Sequence, residues 1–182
     1  EINDLGVFTT DESGKISAAS RDADITIAYK DGLQQVLLNG ENVTGLLRTE
    51  EVGNMASASS VNKDVRLKLV ELQRALAERE NVVMDGRDIG SVVLPKATVK
   101  IFLTASAEVR AHRRCRELQE EGQKVDYDQI LKDIRQRDYQ DTHRDIAPLK
   151  MTRDSVKLDT SDMTIDQVIA AMKKIIAEKV KN

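Results

Sequence analysis

The stretch from Val82 to Pro95, Val-Val-Met-Asp-Gly-Arg-Asp-Ile-Gly-Ser-Val-Val-Leu-Pro, constrains the fold more than any other part of the chain. An apolar run stops at Asp85, and Asp85, Arg87 and Asp88 then set three charges beside Gly86 and Gly90 before apolar character resumes. A buried parallel strand that delivers polar groups to the edge of a sheet has this pattern. Ligands of open α/β sheets bind at the carboxyl ends of the strands, so chemistry is expected first at Asp85 to Asp88. A plain strand and charged turn fits the same residues, because Asp-Gly is a common turn pair.

The rest of the chain supports an α/β reading. Ile25 to Tyr29 alternates, Asp31-Gly32 turns and Gln34 to Leu38 resumes extended character, which predicts a β-hairpin. A second turn at Asn39-Gly40 leads into Glu41 to Thr44, and short helical stretches are expected near Thr44 to Leu47 and Glu50 to Ser57. Residues 1 to 20 read as the tail of a preceding helix plus irregular connection. From Asn62 to Glu78, Val65, Leu69, Leu72 and Leu76 repeat at helical spacing. That helix feeds the strand at Val82. Residues 98 to 103 predict a second strand, followed by a helix from Ala107 to Glu121 that Gly122 ends. Asp126 opens another helix with Ile130, Leu131 and Ile134 inward, and Val156 to Thr160 reads as a third strand. Thr164 and Gln167 form a capping-box pattern before a last helix expected to bury Val168, Ile169, Met172, Ile175, Ile176 and Val180. Strands alternating with helices imply parallel βαβ crossovers, with the hairpin as an insertion.

Composition narrows the function classes. The 182 residues suit one α/β domain with a small insertion, and 40% hydrophobic with 32% charged residues is a globular balance. A net charge of -3 argues against a general nucleic-acid coat, and 3% aromatics leave little for base stacking. No apolar run reaches the roughly 18 residues that a membrane helix needs. One cysteine, Cys115, excludes an intrachain disulfide, and a reducing cytoplasm is expected. The chain opens on Glu1 rather than Met, so it is expected to begin inside a longer gene product.

Two charged constellations stand out. Arg110, Arg113 and Arg114 lie at i, i+3 and i+4 on one helix, with Arg116 nearby. Such crowding suits phosphate, although a solvated basic face balanced by Glu108, Glu117, Glu120 and Glu121 is the first reading of these residues taken alone. Arg137, Asp141 and Arg144 lie at i, i+4 and i+7 and would project within about 60° of one another. They could frame a phosphate and a hydroxyl, or form a surface salt-bridge ladder. His112 and His143 have no zinc-ligand spacing, and no base is paired with Cys115.

Taken together, these segments resemble the cytidylate (CMP) kinase family of bacterial nucleoside monophosphate kinases. The resemblance rests on Leu38 to Thr44, Arg48 to Val52, Ser57 with Val65-Arg66, Lys100 to Ser106 and Arg113-Arg114. Its most specific parts are Asp85-Gly86-Arg87-Asp88-Ile89-Gly90 and the run from Arg137-Asp138 through Arg144 to Ala147-Pro148-Leu149.

The resemblance implies a three-layer α/β fold of the P-loop NTPase type with a parallel sheet and a small antiparallel insertion. It implies residues 20–55 as the nucleotide-monophosphate-binding insertion, 56–109 and 126–182 as core, and 110–125 as lid, within one incomplete kinase domain over 1–182. Ser57, Arg66 and Asp88 match positions that bind the cytosine edge, and Arg87 and Arg144 match acceptor-phosphate ligands. Arg137 and Asp141 match contacts to sugar hydroxyls. Arg110, Arg113 and Arg114 look like lid arginines, and Asp85 like the acid that orients Mg²⁺ through water. The implied ligands are ATP with Mg²⁺ and CMP or dCMP, in a monomer that engages neither membrane nor nucleic acid. The family's Gly-x-x-x-x-Gly-Lys-Ser/Thr loop is matched nowhere in the sequence. The first strand and the loop's helix are therefore expected to be missing, and the chain alone is expected to be inactive. The competing reading is a non-catalytic nucleotide-binding or interaction module without a donor site.

Overall fold

A computed structural model describes residues 10–47, 49–60 and 62–181, with the side chains at 10–13, 50, 51, 54, 57 and 58 outside that description. Arg48 of the sequence motif and the side chain of Ser57 therefore lie outside the described residues. The chain divides between Val82 and Val83 into two compact units.

In the first unit, helix α1 (Thr10–Asp22) precedes strands β1 (Ile25–Lys30), β2 (Leu33–Leu38) and β3 (Glu41–Asn42). The 3₁₀ turn Thr44–Leu46 and helices α2 (Glu50–Ser59) and α3 (Lys63–Arg79) follow. The three strands form an antiparallel sheet in the order β1-β2-β3. Its turns are legible residue by residue. Asp31 and Gly32 take φ of 53° and 77°, and Asn39 and Gly40 take 51° and 83°. Two successive positive φ values make the turn that matches the twist of paired strands, and they set Lys30 opposite Leu33 and Leu38 opposite Glu41. Where the sequence suggested the tail of a helix followed by an irregular connection up to residue 20, helix α1 continues to Asp22 and packs against α3. Ser17 and Asn62 fix that packing. The Ser17 hydroxyl donates to Asn62 Oδ1 at 3.2 Å, and Asn62 Nδ2 donates back at 3.1 Å. Asn62 Oδ1 also accepts from the amides of Asp64 and Val65, which caps α3.

The second unit contains β4 (Ile101–Thr104), α4 (Ala107–Glu120), α5 (Tyr127–His143), β5 (Val156–Asp159) and α6 (Ile165–Val180). Strands β4 and β5 pair in parallel, Ile101 opposite Val156 through Thr104 opposite Asp159. An α/β architecture with a parallel sheet and a separate antiparallel sheet is thus present. Thr160 extends the edge inward. Its amide and hydroxyl both donate to the Thr104 carbonyl, at 2.8 and 3.0 Å, and it is buried. Ala111 and Cys115 of α4 are buried on the side that packs on α5, and two ion pairs cross that contact: Arg110 with Asp138, and Arg135 with Glu108 at 2.6 Å.

Three expectations are corrected here. Val82 to Asp85 is not a strand: the backbone is irregular and Val83 is 95% exposed. A strand exists only as part of a ladder, and among the described residues none pairs with this segment. The apolar residues after it instead form a π-helical turn, Ile89–Val93, in which the Asp88 carbonyl accepts from the amides of Ser91, Val92 and Val93 and Leu94 N donates to Ile89 O at 2.7 Å. The strand expected over 98–103 is shifted to Ile101–Thr104, because only the Lys100 carbonyl and the residues after it meet β5. Finally, α6 has its predicted Thr164–Gln167 capping box, but its apolar stripe is not buried. Val168, Met172 and Ile175 are half-buried, while Ile169, Ile176 and Val180 are exposed. The close helix and strand pairs of this unit are α4 with α5 and β4 with β5, which leaves that stripe little cover.

Candidate active site

The residues after Val82 and the end of α5 meet inside the second unit. Arg87 follows the tight Gly86 corner, where an added Cβ would come within 2.9 Å of the Ile89 side chain. From there Arg87 Nε donates to Asp141 Oδ2 at 2.6 Å. Asp141 lies in the last turn of α5, and its other carboxylate oxygen is 3.9 Å from Arg144 Nη1. Arg144 Nη2 is 3.8 Å from Asp88 Oδ1. The result is a chain of alternating charge, Arg87, Asp141, Arg144 and Asp88. The last three side chains are 16%, 18% and 13% exposed, so the charges interact with less screening than a surface ladder would. A dianionic group bound here would exchange places with carboxylates that already neutralise the arginines.

The position of Arg144 departs from helical extrapolation. Helix α5 ends at His143, and Arg144 takes φ −65° and ψ 143°, an extended conformation. Its Nε donates to the Ala147 carbonyl at 2.8 Å, and Leu149 N donates to the Asp141 carbonyl at 2.7 Å. Ala147 itself has a φ of 51°. This tight return after the helix carries Arg144 toward Asp88 rather than onward along the helix face. Arg137 stays exposed on α5 and makes no hydrogen bond or ion pair among the described residues, so the predicted three-residue frame is brought together only as Asp141 and Arg144.

The three arginines of α4 diverge. Arg110 makes a two-pronged contact with Asp138 of α5, at 2.9 and 2.5 Å, and also donates to the Ala105 carbonyl. Arg113 donates to the Thr160 carbonyl at 2.6 Å and the Met163 carbonyl at 3.4 Å, tying α4 to the loop before α6. Arg114 pairs with Glu117 at 2.7 Å on the surface. Each cation is thus matched by protein oxygens in this conformation. Beside them, Glu108 is held below its usual range, first by a backbone hydrogen bond at its own position and then by Arg135.

Asp85 is exposed, and the described residues contain no cluster of three or more His, Cys, Asp or Glu that could hold a metal ion. In the first unit, Arg66 is half-buried in the first turns of α3, where its amide donates to the Asn62 carbonyl at 3.1 Å. Ser57 lies on α2. His112 stacks on Tyr127 with ring centroids 4.5 Å apart beside a cavity of about 460 Å³ lined also by Cys115, Arg116, Gln119 and Val125. None of the predicted site residues lines it.

Sequence reasoning missed two residues. Asp138 holds Arg110, and its signal was its position three residues before Asp141 on α5. Lys100 is buried at 9% exposure, and its signal was a charge inside the apolar run Thr98 to Leu103.

The cytidylate kinase family model matches residues 6–178. The chain belongs to the cytidylate kinase family. Among curated members, a cytidylate kinase of Lactobacillus gasseri is 49% identical over 159 residues, covering 86% of this chain and 69% of that protein. A cytidylate kinase of Caldicellulosiruptor saccharolyticus is 44% identical over 173 residues, 95% of this chain and 76% of that protein. One from Carboxydothermus hydrogenoformans is 45% identical over 169 residues, 93% and 76%. Family membership gives the charge chain of the second unit a context. No helix among the described residues is long and apolar enough to cross a membrane.

Proposed function

We propose that this protein is a nucleoside monophosphate kinase that transfers the γ-phosphoryl group of ATP to CMP or dCMP, giving the diphosphate and ADP in the cytoplasm. The observation that carries the reading is the chain of exposed Arg87 and half-buried Asp141, Arg144 and Asp88. It collects in one place residues from the two motifs most specific to the family.

In this reading the acceptor phosphate enters between Arg87 and Arg144 and displaces the Asp141 carboxylate. Asp141 is then free to accept from the sugar hydroxyls, with Arg137 beside it. Asp88, Arg66 and Ser57 read the base. The carboxylate accepts from the exocyclic amine of cytosine, where uracil presents an oxygen that would face it as a second acceptor. A site built to hydrogen-bond such a group rejects the analogue strongly, because buried polar atoms are left unpaired. An oxygen of the acceptor phosphate attacks the γ-phosphorus in line, a new P–O bond forms, and the bond to the β–γ bridging oxygen breaks with ADP leaving. Arg110, Arg113 and Arg114 would neutralise the transferring group after leaving Asp138, Thr160 and Glu117.

Mg²⁺ accompanies ATP in this chemistry and supplies charge neutralisation at the phosphates. A solitary exposed Asp85 fits contact with such an ion through water and not a protein cage. The finer fold reading, a P-loop NTPase architecture of three layers, goes with the same proposal. The sequence has no Gly-x-x-x-x-Gly-Lys-Ser/Thr loop, so turnover requires that element to be supplied, whereas CMP binding draws on residues this chain has.

The test compares CMP and UMP in a phosphorylation assay of the protein carrying its phosphate loop, and CMP binding by calorimetry on the 182-residue chain. Strong preference for CMP supports the reading, and equal activity on both pyrimidines would refute the roles of Asp88 and Arg66. CMP binding without turnover, even with the loop present, would point to a binding module instead.

A further inference from the structure

The turn that presents Arg87 and Asp88 is held from beneath by one buried lysine. Lys100 directs its Nζ to the Pro95 carbonyl and to Asp154 Oδ2, both at 2.6 Å. Its side chain is 7% exposed, against 60% for that of Asp154. The stem runs along Gly90: a Cβ there would lie 3.3 Å from Lys100 Cδ and 3.6 Å from Cγ. Lys100 therefore touches the π-helical turn at Gly90 through its methylenes and closes it at Pro95 through its ammonium. The same turn begins at the Asp88 carbonyl, which accepts from three amides, and the Asp88 side chain faces Arg144.

A buried ammonium costs free energy unless it is paired, and a methionine would fill the same space without that cost. What the ammonium adds is a fixed distance between the Pro95 end of the turn and the loop carrying Asp154. We infer that Lys100 is a positioning residue for the acceptor site, setting Arg87 and Asp88 through the turn without touching substrate. The inference rests on the proposed acceptor role of those two residues.

The test is Lys100→Met, which keeps the stem against Gly90 and removes the ammonium. Small displacements of positioning groups have large effects, so, measured on the protein carrying the phosphate loop that ATP binding needs, CMP affinity is expected to fall about tenfold while ATP affinity stays within about twofold. Amide exchange at Val92 and Leu94, whose hydrogen bonds close the turn, is expected to accelerate with exchange in α4 and α5 unchanged. A merely structural role would lower the melting temperature and move both affinities in step. Unchanged CMP affinity in K100M, or loss of CMP and ATP affinity in parallel, overturns the inference. Failure of the wild-type protein to bind CMP overturns the functional reading and this inference with it. Should K100M not fold, Asp154→Asn removes the ion pair and leaves Lys100 with at most a neutral hydrogen bond beside the one to Pro95, and a roughly threefold loss of CMP affinity without loss of ATP affinity is expected. Wild-type CMP affinity in D154N then overturns it.

Discussion

Arg144 is the residue on which the proposed acceptor site turns, because its guanidinium faces two carboxylates, Asp88 and Asp141, from a position just past the end of α5. Arg144→Ala removes the cation and leaves both acids partly buried. Truncating one member of such a set costs roughly 2–5 kcal/mol at a binding site, so kcat/KM for CMP is expected to fall at least about 30-fold, with KM raised and kcat lowered together. Wild-type kinetics in that variant would remove Arg144 from the phosphate site. The base-reading role proposed for Asp88 gives a second expectation. Asp88→Asn replaces an acceptor pair with a group that can donate to the O4 of uracil, and the preference for CMP over UMP is expected to narrow by about tenfold or more, read as the ratio of the two kcat/KM values. Part of this site was legible from residue spacing, since Asp141 and Arg144 were paired by their distance along one helix. The partnership of Asp141 with Arg87, 54 positions away, was not. Nor was the extended backbone at Arg144 that separates it from Arg137, because nothing in the local sequence dictates where a helix hands over to a tight return stabilised by the Ala147 carbonyl.

Turns and caps were the most legible elements, because their causes are local. Asp31-Gly32 and Asn39-Gly40 take the positive φ values their residue types favour, and Asp126 and Thr164 each cap the helix they were expected to open with a side-chain oxygen. The segment from Val82 to Asp88 was misread for the opposite reason. An apolar run specifies only that a segment would suit burial, whereas a strand also needs a neighbour, and none of the described strands lies along it. The apolar stripe of α6 shows the same limit, since its period predicts a helix correctly but not what lies against it. Local causes make local predictions. Gly40→Ala meets no atom within 4 Å, so its cost is the left-handed backbone alone, at φ 83°, and a loss of about 1–2 kcal/mol is expected. Thr164→Ala removes the half of the capping box in which Oγ1 accepts from the Gln167 amide, leaves Gln167 Oε1 accepting from the backbone amide at position 164, and should cost about 1 kcal/mol. Chemical denaturation of each variant, followed by circular dichroism, measures both. A Gly40→Ala protein as stable as wild type would mean that the turn is not held in the conformation described.

Across the whole molecule, acidity is the variable that acts on every charged contact at once. Of the groups held below their ordinary range, Asp154 is displaced furthest, to about 2, first by the hydrogen bond from Lys100 and then by that from Thr152. Asp159 is lowered by the hydroxyl and then the amide of Ser161. A carboxylate whose value in the folded protein lies below its unfolded value contributes stability above the unfolded value, and that contribution disappears as the pH falls through the folded one. For Asp154 the window runs from its ordinary 3.8 down to about 2. Over the same window the 31 acidic residues are neutralised while 28 lysines and arginines stay charged, so self-repulsion destabilises the molecule regardless of any single pair. Comparing Asp154→Asn with wild type separates the two effects, because repulsion acts on both proteins and the ion pair with Lys100 on only one. Above about pH 5 the wild type should have the higher urea midpoint, and between about pH 4 and pH 2 the two midpoints should converge as Asp154 takes up its proton. Midpoints that fall in parallel across that range would mean that Lys100 and Asp154 gain nothing from facing each other, and that the turn carrying Arg87 and Asp88 is secured by the Pro95 carbonyl and the Gly90 contact alone.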